Sequence, residues 1–182
     1  FYDQQTVHHV VETCLQNGGN LSKIFSVKHR DHDGFDVHQI RGTYYSLLGA
    51  DDDAYIAARA IQLFTPGIPQ IYYVGLLAGE NDQELAKQTG EGRDINRHNF
   101  SIDEINGAIG KKVVQRLFRL IEYRNQSSLF EGQFSASCHS AQELTLTWRQ
   151  GNSSNSLCVD LLERTSRIIA IDKQGKETHI TL

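Results

Sequence analysis

The spacing of apolar residues changes near residue 130, and this change constrains the fold of the 182-residue chain more than any other feature. Upstream, apolar residues recur at helical spacing, roughly every 3.6 residues. Downstream, Leu144, Leu146 and Trp148 alternate with polar neighbours, as in a strand with one buried face. Three further short strands are predicted after them: 157–162, 167–172 and 178–182. The sequence therefore predicts a helical part followed by a small antiparallel β domain.

Helical periodicity before residue 130 predicts four helices: 6–15, 51–64, about 82–87 and 111–124. Thr6 is the predicted N-cap of the first helix, and the glycines at 18 and 19 end it. The second helix starts with three aspartates, which suit a helix N-terminus, and stops before Pro66. Residues 20–36 have weak periodicity and many charges, which indicates a surface excursion.

A β-branched and aromatic segment, 68–74, lies between Gly67 and Gly75 and predicts a short buried parallel strand. A polar loop follows, from about 75 to 109. A loop of this length is uncommon in a compact domain and is usually functional. Strand and helix signals that alternate over 43–128 indicate an α/β fold.

Composition excludes several classes of partner. Lys and Arg total 18 against 22 Asp and Glu, so the chain lacks the basic excess that nucleic-acid binding requires. No apolar run reaches the roughly 18 residues that span a membrane. Cys14, Cys138 and Cys158 are odd in number and widely spaced, which predicts reduced, buried thiols. We therefore expect a cytoplasmic protein.

The segment 29–39 concentrates histidines and carboxylates, which suit zinc or manganese. We interpret it as a solvated loop, because these side chains lie on no predicted element that would fix a ligand geometry. The segment also lacks the glutamate that ends a calcium loop. No metal site is predicted.

The long loop contains a dense polar set around Arg93 and Arg97, with Asp94, Asn96 and His98 between and beside them. An arginine fork can bind vicinal hydroxyls, a carboxylate or a phosphate in fixed geometry. The same residues could instead form an Arg–Asp network that stabilises the loop. The residues by themselves leave these two interpretations equal.

Residues 43–98 resemble a known family. The strings PGIPQIYYVG and GRDINRH, and the residues between them, closely resemble the C-terminal barrel region of the sucrose phosphorylases, in the α-amylase-like glycoside hydrolase superfamily. The resemblance implies the C-terminal portion of a (β/α)8 barrel followed by a small antiparallel β domain. It places the end of an insertion domain at 1–36, the last part of the barrel at 37–128 and the β domain at 129–182.

The resemblance also implies a reaction. In the family a carboxylate attacks the glucosyl anomeric carbon, a second carboxylic acid protonates the departing fructose, and inorganic phosphate releases α-glucose 1-phosphate. No residue of this chain matches the motifs of the catalytic carboxylates, so we assign no catalytic residue here. The chain is expected to need the N-terminal part of the same enzyme and to be inactive alone. Phosphate is the implied co-substrate, no cofactor is implied, and family members are often homodimers.

Substrate contacts are implied at five positions. Asp36, His38 and Gln39 match the family's mobile acceptor-site loop, and Arg93 matches an arginine on the donor-glucose side. His38 stands where sucrose-specific members usually have tyrosine, and Arg41 stands where an uncharged residue is more usual. Both changes favour a phosphorylated acceptor, as in the sucrose 6′-phosphate phosphorylases.

Three alternatives stay open at this point. His38 could simply fill the space of tyrosine while Arg41 points to solvent, which favours sucrose. The enzyme could be a glucosylglycerol or glucosylglycerate phosphorylase. The chain could also be a non-catalytic carbohydrate-binding module.

Overall fold

The computed structural model describes residues 3–23 and 37–182. Seven helices lie in these ranges: α1 (Gln4–Gln16), α2 (Tyr44–Leu47), α3 (Asp52–Phe64), α4 (Tyr73–Leu76), α5 (Gln83–Thr89), α6 (Ile102–Ile109) and α7 (Lys112–Gln126). Seven strands accompany them: β1 (Asn20–Lys23), β2 (Val37–Arg41), β3 (Gln133–Cys138), β4 (Glu143–Gln150), β5 (Ser153–Asp160), β6 (Thr165–Ile171) and β7 (Glu177–Thr181). Two short 3₁₀ turns span Gly92–Asn96 and Ser128–Glu131. The predicted order, helices followed by an antiparallel β domain, is confirmed.

The described residues form two compact units. The first combines the described part of 1–51 with 72–106, and the second combines 52–71 with 107–182. The family-based limits at residues 36 and 128 refer to a larger fold and stay a prediction.

The second unit is built on an antiparallel sheet of five strands in the order β3-β4-β5-β6-β7, so that each strand pairs with the next in sequence. Its inward side chains alternate as the period of 2 requires, and Leu146, Leu157 and Ile168 are buried. Helix α3 contacts β4, β5 and β6 and also packs on α7. The core therefore lies between one face of the sheet and this helix pair.

The predicted helices are confirmed with small changes at their ends. Helix α3 begins with Asp52 and Asp53 and stops at Phe64, as predicted. Helix α1 begins earlier than predicted because Asp3 is its N-cap and accepts the Thr6 N–H at 2.8 Å. The prediction of Thr6 as the cap is therefore wrong. A carboxylate can accept this bond at the helix start as well as a hydroxyl can.

The predicted parallel strand at 68–74 is wrong. This segment belongs to neither sheet of the described residues, and its last two residues start helix α4. Ile68 is 92% exposed and Tyr72 is 55% exposed. A strand exists only where a neighbour pairs with its backbone, and Pro69 cannot donate a backbone N–H. Composition alone could not supply that neighbour.

Six helices and strands of the described residues are not predicted from the sequence: β1, β2, α2, α4, α6 and β3. The strand β1 begins the segment that we expected to be a surface excursion. All six residues of β3 are exposed, so its side chains show no alternation of burial.

The cysteines are free, as predicted. Cys138 is exposed, however, so the expectation that all three thiols are buried is wrong. Partial burial raises the pKa of the Cys14 thiol, which keeps it protonated and unreactive. Within the described ranges, none of the helices combines the length and apolar character needed to cross a bilayer.

Candidate functional site

The candidate site starts at a small antiparallel pair, β1 with β2, in the first unit. Lys23 lies opposite Val37 and Ser22 lies opposite Gln39, so His38 is an extra residue at an irregularity of the ladder. Bulges of this kind re-aim a strand and occur often beside active sites. The ladder is thus irregular at the predicted acceptor residue His38. Gln39 is exposed, and Asp36 lies outside the described residues.

Arg41 lies at the end of β2, opposite Asn20 of β1. Asn20 Nδ2 donates to the Gly92 carbonyl at 2.9 Å, which joins the two strands to the 3₁₀ turn that contains Arg93. A Cβ at position 92 would lie 2.6 Å from Arg41 Nη1 and 3.1 Å from Asn20 Oδ1. The Arg41 guanidinium therefore packs directly on Gly92, one residue before Arg93.

Among the residues that the structure describes, two polar atoms at this junction are buried without a hydrogen-bond partner. Arg41 Nε and Asn20 Oδ1 make no hydrogen bond within the part of the chain that the structure describes. A buried donor or acceptor left in this way costs free energy, most of all on a charged group. The junction can therefore accept a further polar group, and the Arg41 donors favour an anionic one.

Arg93 extends from the 3₁₀ turn and its side chain is 60% exposed. Its Nε lies 3.6 Å from Glu91 Oε2, and this exposed pair contributes little to stability. Arg97 Nη1 lies 3.7 Å from Asp94 Oδ1, so one of the two predicted arginines pairs with an aspartate of the loop. The exposed Arg93 fork retains the geometry for binding hydroxyls or an oxyanion.

His98 closes the far end of the same turn. Its Nδ1 lies 2.6 Å from Asp82 Oδ2, and its Nε2 lies 3.0 Å from Glu104 Oε1. Ser101 caps helix α6 in a reciprocal pattern, since its backbone N–H donates to Glu104 Oε2 and its hydroxyl oxygen accepts the Glu104 backbone N–H. Sequence analysis placed His98 in the polar set but gave it no role. The spacing Ser101-x-x-Glu104 is a capping-box signal that could have revealed α6 and this carboxylate.

The electrostatics of the three side chains agree with their contacts. The hydrogen bond from His98 and the backbone N–H of Leu85 lower the pKa of Asp82. The bonds from Ser101 and then His98 lower the pKa of Glu104 to about 2. The hydrogen bond to Asp82, and then that to Glu104, raise the pKa of His98 although partial burial opposes them.

Other clusters do not compete with this site. In the described ranges, no group of three His, Cys, Asp or Glu side chains is arranged to hold a metal ion. A cleft in the sheet of the second unit is lined by Glu143, Asp160 and Arg167 among others. None of the predicted site residues that the structure describes lines this cleft.

Comparison with known proteins gives close relatives, although no family model matches the chain. The chain is 51% identical over 175 residues to sucrose 6(F)-phosphate phosphorylase of Thermoanaerobacterium thermosaccharolyticum, covering 96% of this chain and 36% of the relative. It is 48% identical over 122 residues to sucrose phosphorylase of Bifidobacterium adolescentis (67% of this chain, 24% of the relative). It is 47% identical over 142 residues to glucosylglycerol phosphorylase of Marinobacter adhaerens (78% of this chain, 30% of the relative).

A solved structure agrees with these matches. The crystal structure of sucrose 6F-phosphate phosphorylase from Thermoanaerobacter thermosaccharolyticum superposes with a TM-score of 0.95 at 50% identity, covering 100% of this chain and 37% of that chain. The chain thus spans between 24% and 37% of the length of the relatives it matches.

Proposed function

Since the chain belongs to the sucrose phosphorylase family and matches the C-terminal part of its members, we propose that the complete protein is a retaining α-glucosyl phosphorylase. Its substrates are sucrose or sucrose 6′-phosphate and inorganic phosphate, and its products are α-glucose 1-phosphate and fructose or fructose 6-phosphate. The observation that carries this proposal is the match over the whole described fold, with a TM-score of 0.95.

In the proposed reaction a carboxylate attacks the anomeric carbon and the C–O bond to fructose breaks, with a carboxylic acid supplying a proton to the departing oxygen. Phosphate then attacks the same carbon and frees the enzyme carboxylate. These carboxylates come from the N-terminal part of the enzyme, so this chain contributes binding residues and is inactive alone. No cofactor or metal takes part, and phosphate is a co-substrate.

Arg93 is proposed to bind the donor glucosyl unit, and Asp36 and Gln39 of the acceptor loop are proposed to contact the substrate. Exposure of the Arg93 side chain supports this role, because its guanidinium donors are accessible to a ligand.

The acceptor is proposed to be phosphorylated, and His38 and Arg41 are the residues proposed to recognise its phosphate. Arg41 supports this because its guanidinium lies beside the Arg93 turn with Nε buried and unpartnered among the described residues. A phosphate oxygen would supply the missing acceptor through a charge-assisted bond. The bulge at His38 supports the same assignment, since it marks the strand position that departs from the regular ladder.

A second candidate is glucosylglycerol phosphorolysis, which the 47% identity to an enzyme of that name supports. Fructose 6-phosphate, fructose and glycerol differ in charge and size, so acceptor profiling separates the three. A carbohydrate-binding module without catalysis is the remaining alternative. We further propose that the enzyme is cytoplasmic and homodimeric, and that it has no nucleic-acid or membrane partner.

The test uses the complete gene product with sucrose, sucrose 6′-phosphate and glucosylglycerol, each with and without inorganic phosphate. We expect glucose 1-phosphate release that depends on phosphate and is fastest with sucrose 6′-phosphate. Cleavage at the same rate without phosphate would contradict a phosphorylase. A preference for sucrose or glucosylglycerol would contradict the roles of His38 and Arg41 but retain the reaction class.

A further inference from the structure

Three segments of the first unit meet at His98. Asp82 caps helix α5 by accepting the Leu85 N–H at 2.8 Å, and Glu104 belongs to the first turn of α6. His98 lies between them, just after the 3₁₀ turn of Arg93. His98 and Asp82 are partly buried, with 32% and 19% of their side chains exposed, whereas the Glu104 side chain is 49% exposed. This contact is better shielded from solvent than the pairs of Arg93 or Lys87 at the surface.

The charge of His98 follows from its partners. Both carboxylates are acceptors when ionised, so neither can donate a proton to a ring nitrogen. Hydrogen bonds at 2.6 Å and 3.0 Å on opposite ring nitrogens therefore require that both nitrogens carry hydrogen. The imidazole in this arrangement is a cation held between two anions.

Two hydrogen bonds of Asp82 connect the His98 bridge to the Arg93 turn. The Asp82 backbone N–H donates to the Ile95 carbonyl at 2.7 Å, inside the turn, while the Asp82 carboxylate binds His98 after the turn. The Tyr73 hydroxyl donates to the His98 carbonyl at 2.9 Å. Asp82 thus fixes the turn at two points along the chain, and His98 completes the second of them.

We propose that His98, bridged as an imidazolium between Asp82 and Glu104, is a positioning residue that holds the Arg93 turn in its substrate-binding geometry. The assignment rests on the proposed function, in which Arg93 contacts the donor sugar. His98 contacts no reacting atom in this scheme and acts through the position of Arg93.

The bridge is sensitive to alkaline pH because it requires a protonated His98 imidazole. The titratable and charged groups around His98 are Asp82 from the α5 N-cap, Glu104 from α6, Tyr73 from α4 and the adjacent Arg97. The pKa of His98 is raised by its two carboxylate partners, so the cation persists above its ordinary value of 6.5. The bridge is complete below that value and is lost as pH rises through the higher pKa of the folded state.

The experiment compares His98→Gln and Glu104→Gln with wild type in the complete protein, and uses His179→Gln as the matched control. His179 also pairs with a carboxylate, Glu177, but on the edge strand β7. We measure amide hydrogen exchange over residues 82–98, the titration of the His98 ring by NMR, and kcat and KM for glucose 1-phosphate release from pH 5 to 9 (a range chosen to bracket an ordinary histidine pKa of roughly 6.5).

We expect His98→Gln to speed exchange of the Asp82 amide about tenfold and to raise the donor KM by a similar factor, with a smaller change in kcat. A charge-assisted hydrogen bond lost from a part-buried site accounts for a change of this order. Glu104→Gln should lower the pKa of His98 and move the alkaline loss of kcat/KM to lower pH. His179→Gln should change none of these.

Two results would overturn the proposal: a His98 ring that titrates at or below 6.5, or a Glu104→Gln protein with wild-type exchange and an unchanged alkaline limb. Because Glu104→Gln retains the His98 imidazole, this variant still tests the proposal if His98→Gln fails to fold. If the protein releases no glucose 1-phosphate, the proposed function fails, while exchange and ring titration still decide whether His98 holds the turn.

Discussion

Gly92 is the residue on which the position of Arg41 depends. Because a Cβ there would lie 2.6 Å from Arg41 Nη1, Gly92→Ala must displace the guanidinium or the turn. We expect kcat/KM for sucrose 6′-phosphate to fall about tenfold more than kcat/KM for sucrose, since a charge-assisted phosphate contact is worth about 1.5–3 kcal/mol. The measurement is the ratio of the two values.

Gly107→Ala is the control for this substitution. Gly107 lies in helix α6, and a Cβ there would meet nothing within 4 Å. Alanine in a helix is favoured over glycine by about 1 kcal/mol, so this variant should be at least as stable and should keep the wild-type ratio. If kcat/KM falls equally for sucrose and for sucrose 6′-phosphate in Gly92→Ala, Arg41 does not recognise the phosphate.

At the scale of secondary-structure elements, a buried hydrogen bond joins helix α3 to strand β4. Trp148 Nε1 donates to the Phe64 carbonyl at 2.6 Å, and Phe64 is the last residue of α3. A carbonyl at a helix C-terminus has no partner in its own helix, so the indole supplies one. The bond ties the end of the helix to the sheet.

We expect Trp148→Phe to lower the free energy of unfolding by about 1–3 kcal/mol, because it leaves the Phe64 carbonyl buried without a donor. Urea denaturation measures the change. Leu162→Ala is the control, since Leu162 is 64% exposed in a hairpin turn and surface substitutions usually change stability by about 0.5 kcal/mol or less. Similar losses in the two variants would contradict the role of the bond.

The elements that the sequence predicts well are those whose signals are local. Helices α3 and α7 follow from an apolar stripe with a start and a stop, and their observed bounds lie close to 51–64 and 111–124. The strand at 68–74 fails because pairing is not a local property. Helix α6 also carries a local signal, since Ser101 and Glu104 form a capping box at its start.

At the scale of the whole molecule, the bridge at His98 predicts how stability depends on pH. Glu104 has a folded pKa of about 2, below its ordinary 4.5, so its contribution is present above 4.5 and is lost as pH falls toward 2. Asp82 acts in the same direction. His98 contributes fully below 6.5 and loses its contribution as pH rises through its raised pKa.

Thermal unfolding midpoints recorded across pH should therefore pass through a plateau between about 4.5 and 6.5, with losses on both sides. Glu104→Gln should flatten the acid limb, because that side chain no longer titrates. An acid limb identical to that of wild type would mean that other carboxylates account for acid unfolding.

The sequence by itself determined the helical part, the antiparallel β domain and the membership of a family, because periodicity and long ordered motifs are carried by neighbouring residues. It also singled out Arg93, Arg41 and the residues around them. Tertiary structure alone decided that Arg41 packs on Gly92 and that His98 contacts Asp82, since partners 51 and 16 positions apart meet through chain reversals that no local pattern encodes. Pairing between distant segments also decided that 68–74 is not a strand among the described residues, because a strand is stable only against another.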